Sequence, residues 1–222
     1  MGFNYIIEHM EEDDDASKTV PRWVFLEYSH MLKLAGRNSC VHFTHLSPTS
    51  CAWLEEKLGG NSATIAKAYM HQKGVMDMLD APELSTSIGR VCLLDPRAKQ
   101  ELKPDDGDGR FNCFLFGGIL GDDPPRDRTS ELRVLGFPSR HLGPIQMTTD
   151  TAVGVTKLVV EEGTPLDKIR YVDMPTIRFN AKESIEMPFR YIVDGDGWKP
   201  LLPVGMRELL QDELNETVDG LT

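Results

Sequence analysis

The sequence predicts an α/β fold built on a mostly parallel sheet. Asn4–His9 and Ser39–Leu46 have strand patterns, and Trp23–Leu34 between them repeats apolar residues at helical spacing. Strand and helix patterns continue to alternate along the chain, as expected of βαβ units. At 222 residues the chain is long enough for one domain with a buried core. We therefore expect one domain over residues 1–222.

Residues 47–87 interrupt this alternation. Proline and glycine divide the segment, and two short helices, Thr49–Leu58 and Ser62–Gln72, fit the pattern that remains. Asn61 or Ser62 is the expected N-cap of the second helix. We interpret residues 47–87 as an insertion or lid within the domain.

The rest of the chain continues with short strands and helices. The patterns predict strands or extended segments over Gly89–Leu94, Cys113–Phe116, Pro138–Leu142, Lys168–Met174, Thr176–Asn180 and Glu186–Val193. They predict helices over Thr129–Leu135, Thr148–Glu162 and Met206–Leu214. Thr129 is a suitable N-cap, and Asp150 in the first turn of the second helix complements the helix dipole. We expect residues 201–222 to form an acidic helix and tail.

The net charge limits the choice of partner. The chain has 35 Asp and Glu against 24 Lys and Arg, a formal charge of −11, with acidic residues concentrated near both ends. Nucleic-acid-binding proteins instead carry a basic surface, because contacts to phosphate dominate their affinity. A basic protein segment is therefore a more suitable partner than RNA.

The location of the protein follows from two further patterns. No apolar run approaches the roughly 20 residues that span a bilayer. Glu8, Glu11 and Glu12 stand where a secretion signal would carry positive charge. We expect no membrane partner and a cytosolic or nuclear protein, and of these we choose the cytoplasm.

The cysteines do not form a recognisable metal or disulfide pattern. Four of them are far apart in the sequence, namely Cys40, Cys51, Cys92 and Cys113. We expect free, mostly buried thiols. A zinc site from Cys40, His42, His45 and Cys51 is the alternative. It is disfavoured because a strand would direct His42 and His45 to opposite faces, so we expect no metal.

Two loops carry the strongest functional signal. The stretch Cys113–Asp127 reads CFLFGGILGDDPPRD, in which a buried strand runs into glycines and charged residues. Glycine lets the backbone approach a ligand closely, and open α/β sheets bind ligands beyond the ends of such strands. A second loop of this kind spans Leu142–Asp150. The early G-x-G-x-x-G and P-loop patterns are missing, so we expect a nucleotide-like cofactor pocket of a less common type.

Several segments resemble the SPOUT methyltransferases. Within that superfamily they are most similar to the fungal SPOUT-type protein arginine methyltransferases that modify a small-subunit ribosomal protein. The matching segments are YIIEHMEE, GRVCLLDPRA, FGGILGDDPPRDRTSEL, QMTTDTA and EMPFRY. The resemblance implies a C-terminal trefoil knot around S-adenosylmethionine. Asp13–Val20 and Ser47–Ser87 depart from the family pattern.

The resemblance also implies three cofactor loops. Their residues are Leu94, Asp95 and Pro96, then Gly117, Gly118, Ile119 and Gly121, and finally Leu142, Gly143, Gln146, Met147, Thr148 and Thr149. Leu142, Ile145 and Met147 offer apolar walls to adenine. The methionine carboxylate suits either the backbone N–H groups of the glycine loop or those of a helix that begins at Thr148 or Thr149.

Carboxylates are the expected catalytic groups. Arginine is protonated in water, so the site must bind a cation, orient one nitrogen and later accept a proton. The candidates, in order, are Asp127, Glu8, Glu186, Asp122 and Asp95. Arg126 and Arg128 flank Asp127. They either bind phosphate or the cofactor carboxylate, or form salt bridges with Asp122, Asp123 or Glu131.

These observations predict a protein arginine N-methyltransferase that acts on a basic ribosomal-protein segment, as a monomer rather than a homodimer. One alternative is a SPOUT methyltransferase of rRNA or tRNA, which the negative charge disfavours. A second alternative is a cofactor-binding ribosome-assembly factor without catalytic activity.

Overall fold

The computed structural model describes residues 2–60, 63–118, 127 and 129–219, with side chains up to residue 215. Within these ranges a six-stranded sheet forms the centre of the protein. Its strands are β1 (Asn4–Glu8), β2 (Cys40–Thr44), β3 (Lys67–Met70), β4 (Val91–Leu94), β5 (Cys113–Gly117) and β6 (Ser139–Arg140). The order across the sheet is β3-β2-β1-β5-β4-β6, and every neighbouring pair is parallel. The predicted α/β fold with a mostly parallel sheet is confirmed.

Helices cover both faces of this sheet. They are α1 (Arg22–Ala35), α2 (Pro48–Leu58), α3 (Val75–Met78), α4 (Ser130–Arg133), α5 (Thr149–Val160) and α6 (Met206–Asp219). Alternate residues of β1 enter two different cores: Tyr5 and Ile7 join the core that includes α1 and α5, and Ile6 joins the core that includes α3. This period of two, with both faces buried, is why Tyr5, Ile6 and Ile7 in the middle of β1 are all buried and largely apolar.

Two small antiparallel ribbons follow the sheet in the chain. β7 (Tyr171–Asp173) pairs with β10 (Arg190–Ile192), and β8 (Thr176–Arg178) pairs with β9 (Ser184–Glu186). The predicted segments Lys168–Met174 and Thr176–Asn180 contain the shorter strands β7 and β8, whereas Glu186–Val193 covers only the last residue of β9 and then β10. Of the helices in the described ranges, none is long and apolar enough to cross a membrane.

The helix predicted over Ser62–Gln72 is wrong. Residues 67–70 form β3, which pairs with β2 so that Ala68 lies opposite Val41 and is buried. Pairing with a distant strand outweighs the weak local helix pattern, and the predicted N-caps Asn61 and Ser62 are outside the described residues. The helix predicted over Thr49–Leu58 exists as α2. A lid function for residues 47–87 stays a prediction.

The residues of the disfavoured zinc alternative have other surroundings. His42 is buried, its ring stacks on Tyr69, and its Nδ1 lies 3.1 Å from Nε2 of His71. The cysteines Cys40, Cys51, Cys92 and Cys113 are free thiols. Within the described part of the chain, His, Cys, Asp and Glu side chains form no group that could hold a metal ion.

Candidate active site

An apolar cavity of about 300 Å³ lies at the carboxyl ends of β4, β5 and β6. The loops that follow these strands and the amino end of α5 enclose it, because parallel strands bring their carboxyl ends to one edge of the sheet. Its lining residues are Leu94, Asp95, Pro96, Arg97, Phe116, Gly117, Asp127, Thr129, Leu142, Gly143, Pro144, Ile145, Gln146, Met147, Thr149 and Ala152. We call this space the apolar cavity.

Most of the residues predicted from the cofactor loops lie around this one cavity. Those that line it are Leu94, Asp95, Pro96, Gly117, Leu142, Gly143, Gln146, Met147 and Thr149. Gly118 and Thr148 are not part of its lining, although each is next to a lining residue. Ile119 and Gly121 lie outside the described residues, as do Asp122, Arg126 and Arg128.

The apolar cavity has two chemically different ends. Phe116, Leu142 and Met147 supply apolar walls. Thr149 is the first residue of α5, so the amino end of that helix, with its partial positive charge, also borders the cavity. A helix of 12 residues presents unpaired N–H groups there, which suit a carboxylate or another anion.

An ion-pair network built on Arg133 borders the cavity. The guanidinium of Arg133 donates hydrogen bonds of 2.6 and 2.7 Å to both oxygens of Asp95, and bonds of 3.0 and 3.1 Å to both oxygens of Asp127. Arg97 Nε lies 3.3 Å from Asp127 Oδ2. The hydrogen bonds from Arg133 hold the pKa of Asp127 below its usual range. Asp127 is therefore ionised, with both oxygens already bonded.

Glu8, at the end of β1, has different surroundings. Its side chain is about 10% exposed. Thr44 Oγ1 donates a 2.5 Å hydrogen bond to Oε2, and the Val75 N–H donates one of 2.9 Å to the same oxygen. His45 Nδ1 lies 3.9 Å from the other oxygen, Oε1. Burial raises the pKa of Glu8 above its usual range, although the hydrogen bond from Thr44 opposes this shift.

Glu8 and Asp127 border a second space, of about 600 Å³, which we call the acidic cavity. Its lining residues are Glu8, Met10, His45, Asp127, Glu131, Leu132 and Leu135. Asp127 lines both the apolar and the acidic cavity, so the two spaces are neighbours that share this residue. Three carboxyl groups, those of Glu8, Asp127 and Glu131, therefore border one opening.

Two other candidate acids, Glu186 and Asp95, do not line the acidic cavity. Glu186 is exposed on β9, in the β8–β9 ribbon, and lines neither the apolar nor the acidic cavity. Asp95 is buried and is bonded to Arg133, and its Oδ1 also accepts the Arg97 N–H at 2.9 Å. Sequence reasoning missed Arg133 and Arg97, since nothing local in the sequence pairs them with these acids.

Glycines permit the close approach of the loops at this edge. A Cβ on Gly118 would lie 2.7 Å from both the Glu8 carbonyl oxygen and the Met10 nitrogen. A Cβ on Gly74 would lie 2.8 Å from Glu8 Oε1. The loops after β1 and β5 therefore touch through their backbones at Gly118, and Gly74 leaves room for the Glu8 carboxylate.

Comparison with known proteins establishes the family of the chain. Residues 4–217 match the sequence model of the family described as protein arginine N-methyltransferase SFM1-like. The protein arginine N-methyltransferase SFM1 of Saccharomyces cerevisiae is 41% identical over an alignment of 223 positions that covers 98% of each chain. This chain belongs to the SFM1-like family. The resemblance seen in the sequence is therefore confirmed.

Solved structures agree with this assignment. The yeast arginine methyltransferase SFM1 complexed with SAM has a TM-score of 0.81 at 39% identity, covering 96% of this chain and 92% of that one. The SAH complex of the same yeast enzyme has a TM-score of 0.78 at 40% identity, covering 93% of each chain. The dual-specific Trm10 of Thermococcus kodakaraensis has a TM-score of 0.50 at 18% identity, covering 75% of this chain and 96% of that one. At this identity the match supports only the fold. The trefoil knot stays a prediction.

Proposed function

We propose that this member of the SFM1-like family transfers a methyl group from S-adenosylmethionine to an arginine in a basic segment of a small-subunit ribosomal protein. The position of Asp127 in the lining of both the apolar and the acidic cavity carries the proposal. One cavity suits a nucleoside joined to an amino acid, the other suits a guanidinium, and their adjacency would bring two reactants side by side. The yeast relative is itself a protein arginine N-methyltransferase with a SAM complex.

The residues around the apolar cavity fit S-adenosylmethionine. Leu142, Ile145 and Met147 would hold the adenine, and the amino end of α5 at Thr149 would hold the carboxylate. The volume of about 300 Å³ is at the lower end of the range for small-molecule pockets. When bound, S-adenosylmethionine supplies an electrophilic methyl group on a sulfonium sulfur.

Glu8 is the proposed proton acceptor, in place of Asp127, which the sequence ranks first. The arginine nitrogen that takes the methyl group must lose a proton, because the guanidinium is protonated at neutral pH. Both oxygens of Asp127 are bonded to Arg133, which lowers its proton affinity. Glu8 has a raised pKa. The hydrogen bonds from Thr44 and Val75 both end at its Oε2, so neither of them occupies Oε1.

Asp127 and Glu131 are proposed to orient the guanidinium. Both line the acidic cavity, and neither needs to accept a proton for this role. Ionised carboxylates form the strongest hydrogen bonds with a guanidinium, and holding the acceptor nitrogen near the methyl group supplies much of the rate acceleration. Gly118 and Thr148, proposed as cofactor contacts, and Glu186, proposed as catalytic, are not among the described lining residues of the two cavities. The proposed cofactor contacts Ile119 and Gly121 lie outside the described residues.

The charge of the chain supports a basic protein substrate. A formal charge of −11 and an acidic opening attract a segment rich in Lys and Arg and repel RNA. We include a monomeric state and a cytoplasmic location in the proposal.

A labelled-methyl assay tests this function. The purified chain is incubated with methyl-labelled S-adenosylmethionine and ribosomes that lack the modification, and protein and RNA are then separated. We expect label in a small-subunit protein, released by acid hydrolysis as methylarginine. Label in RNA would favour the tRNA or rRNA alternative. If neither fraction were labelled although S-adenosylmethionine bound, the chain would be a non-catalytic factor.

A further inference from the structure

A third cavity, of about 330 Å³, lies between α1, the amino end of α5, β10 and α6. We call it the α6 cavity, and its polar lining includes Glu27 of α1, Asp150 of α5 and Tyr191 of β10. Neither Glu8 nor Asp127 lines it, so it is separate from the proposed site of methyl transfer. It is nevertheless close to the apolar cavity, because Thr149 lines one and Asp150 the other.

The polar side chains of the α6 cavity are buried without full hydrogen bonding. Glu27, Asp150 and Tyr191 are 5%, 1% and 2% exposed. Within the described part of the chain, Glu27 Oε2, Asp150 Oδ1 and the Tyr191 hydroxyl have no hydrogen-bond partner. Folded proteins pair nearly all buried polar atoms, so three such atoms on one cavity indicate a ligand that supplies the missing donors.

The charges around this cavity select a cation. The buried carboxyl groups of Glu27 and Asp150 line the α6 cavity. The exposed side chain of Glu213, on α6, adds a third carboxyl group to the lining. In the described part of the chain, the one basic group bonded to the two buried acids, Glu27 and Asp150, is His30, whose Nδ1 lies 2.7 Å from Asp150 Oδ2. Burial, Asp150 and Glu11 raise the pKa of Glu27 well above its usual range. A bound cation would relieve the repulsion that causes part of this shift.

The remaining lining suits an alkyl chain attached to the cation. Trp23, Phe189 and Tyr191 provide aromatic rings, and Met206 and Leu209 provide apolar contacts from α6. Aromatic faces attract guanidinium and ammonium groups, and apolar walls accommodate the methylene stem of such a side chain. A metal ion would gain nothing from these apolar contacts.

We propose that the α6 cavity binds a guanidinium or ammonium group carried on an alkyl chain. The N–H groups of the ligand donate to the carboxylates of Glu27 and Asp150 and to the Tyr191 hydroxyl oxygen, while its stem packs between Trp23 and α6. Such a group comes either from a Lys or Arg of a protein segment or from a free small cation.

Calorimetric titration of the full chain distinguishes these sources. The probes are a capped Ala-Arg-Ala peptide, its neutral citrulline analogue, and agmatine. We expect a cationic probe to bind and the citrulline peptide to bind at least about tenfold more weakly. Preference for the arginine peptide identifies a protein side chain as the ligand, and preference for agmatine identifies a free cation. Absence of binding by both cationic probes would overturn the proposal.

Matched variants test whether the cationic probe binds in the α6 cavity. Glu27→Gln removes one carboxylate and should weaken binding of the cationic probe on the order of tenfold or more. Glu208→Gln, an equal charge change at an exposed position of α6, should leave it unchanged. Leu210→Trp should block binding without any charge change, because Leu210 lines the cavity. Binding that is unchanged in both Glu27→Gln and Leu210→Trp would contradict the proposal.

A further variant distinguishes probe binding in the α6 cavity from probe binding in the acidic cavity. All titrations are repeated in a Glu8→Gln background, in which cation binding near Glu8 is weakened. The effect of Glu27→Gln should be the same in both backgrounds, since Glu8 does not line the α6 cavity. Failure of methyl transfer would leave this result intact, so the two proposals are tested independently.

Discussion

Glu8 and Asp127 border the same cavity, but their neighbours give the two carboxyl groups opposite acid strengths. Arg133 lowers the pKa of Asp127, whereas burial raises the pKa of Glu8. Pairs of acids whose environments separate their pKa values in this way are common where one residue holds charge and the other exchanges a proton. This contrast assigns the two carboxylates their proposed roles.

Replacement of Glu8 tests its role as proton acceptor. We expect Glu8→Gln to lower kcat by about 10²–10⁴, because general-base catalysis contributes that much. Binding of S-adenosylmethionine should be unchanged, since Glu8 is not part of the apolar cavity. The raised pKa of Glu8 also places the acidic limb of the wild-type pH–rate profile above the usual carboxyl range, because a protonated Glu8 cannot accept a proton. Steady-state kinetics with a substrate peptide from pH 4 to pH 9 measures both effects.

Glu131→Gln is the matched control for this experiment. It removes a carboxylate from the same cavity at an exposed position, so it should raise KM and leave the acidic limb in place. Equal pH profiles for wild type and Glu8→Gln would exclude Glu8 as the base.

Ionisation of Glu27 at higher pH should destabilise the folded protein when no ligand occupies the α6 cavity. Its folded-state pKa is raised by burial, Asp150 and Glu11 above the value in the unfolded chain. Between these two pKa values the folded state holds more protons than the unfolded state, so stability falls as pH rises. Glu27→Gln removes this term, and we expect it to raise the free energy of unfolding by roughly 1–3 kcal/mol above neutral pH. Urea unfolding at pH 5 and pH 8 measures it, and identical pH dependence in both proteins would contradict the expectation.

At the scale of secondary-structure elements, the close approach of the loops that follow β1 and β5 depends on Gly118. A Cβ there would lie 2.7 Å from two backbone atoms, the Glu8 carbonyl oxygen and the Met10 nitrogen, neither of which a side-chain rotation can move. We expect Gly118→Ala to destabilise the fold by roughly 1–3 kcal/mol and to displace Glu8. Gly89→Ala is the control, because a Cβ at Gly89 meets nothing within 4 Å. Urea midpoints that agree between the two variants would show that the loops adjust freely.

Local signals predicted most elements and the location of the cavity loops. Strand period, helix period and glycine stops are properties of neighbouring residues, so β1, α1, β5 and α5 were predictable. β3 was not, because Lys67–Met70 is an edge strand whose pairing with β2 decides its conformation. A short edge strand next to a glycine turn carries little pattern of its own.

The partners at the site were less predictable than the loops. Arg133 meets Asp95 from 38 residues away, on a helix of four residues without any motif. Glu8 and Asp127 were selected as acids near loops, but their opposite pKa shifts depend on the burial of Glu8 and on the hydrogen bonds from Arg133 to Asp127. Glu186 looked equivalent in sequence, although β9 places it away from both cavities. Distances between elements determine such roles, and only the tertiary structure supplies them.

At the scale of the whole molecule, the charge of −11 should act on the encounter with substrate. Attraction between an acidic enzyme and a basic segment is screened within about 10 Å at 0.1 M salt. We therefore expect KM for a basic ribosomal-protein peptide to rise several-fold between 0.05 and 0.5 M NaCl, while kcat is nearly constant. The chemical step occurs between groups in close contact, which salt screens much less than exposed charges.

The cofactor provides the internal control for this salt series. S-adenosylmethionine is proposed to lie in the apolar cavity, whose walls are mainly uncharged apart from the Asp95, Arg97 and Asp127 side chains. Its KM should change less than twofold over the same range, because burial of apolar surface, which salt does not screen, dominates its binding. If both KM values rose in parallel, salt would be acting on the enzyme itself. If the peptide KM did not change, local contacts in the acidic cavity would select the substrate without help from the net charge.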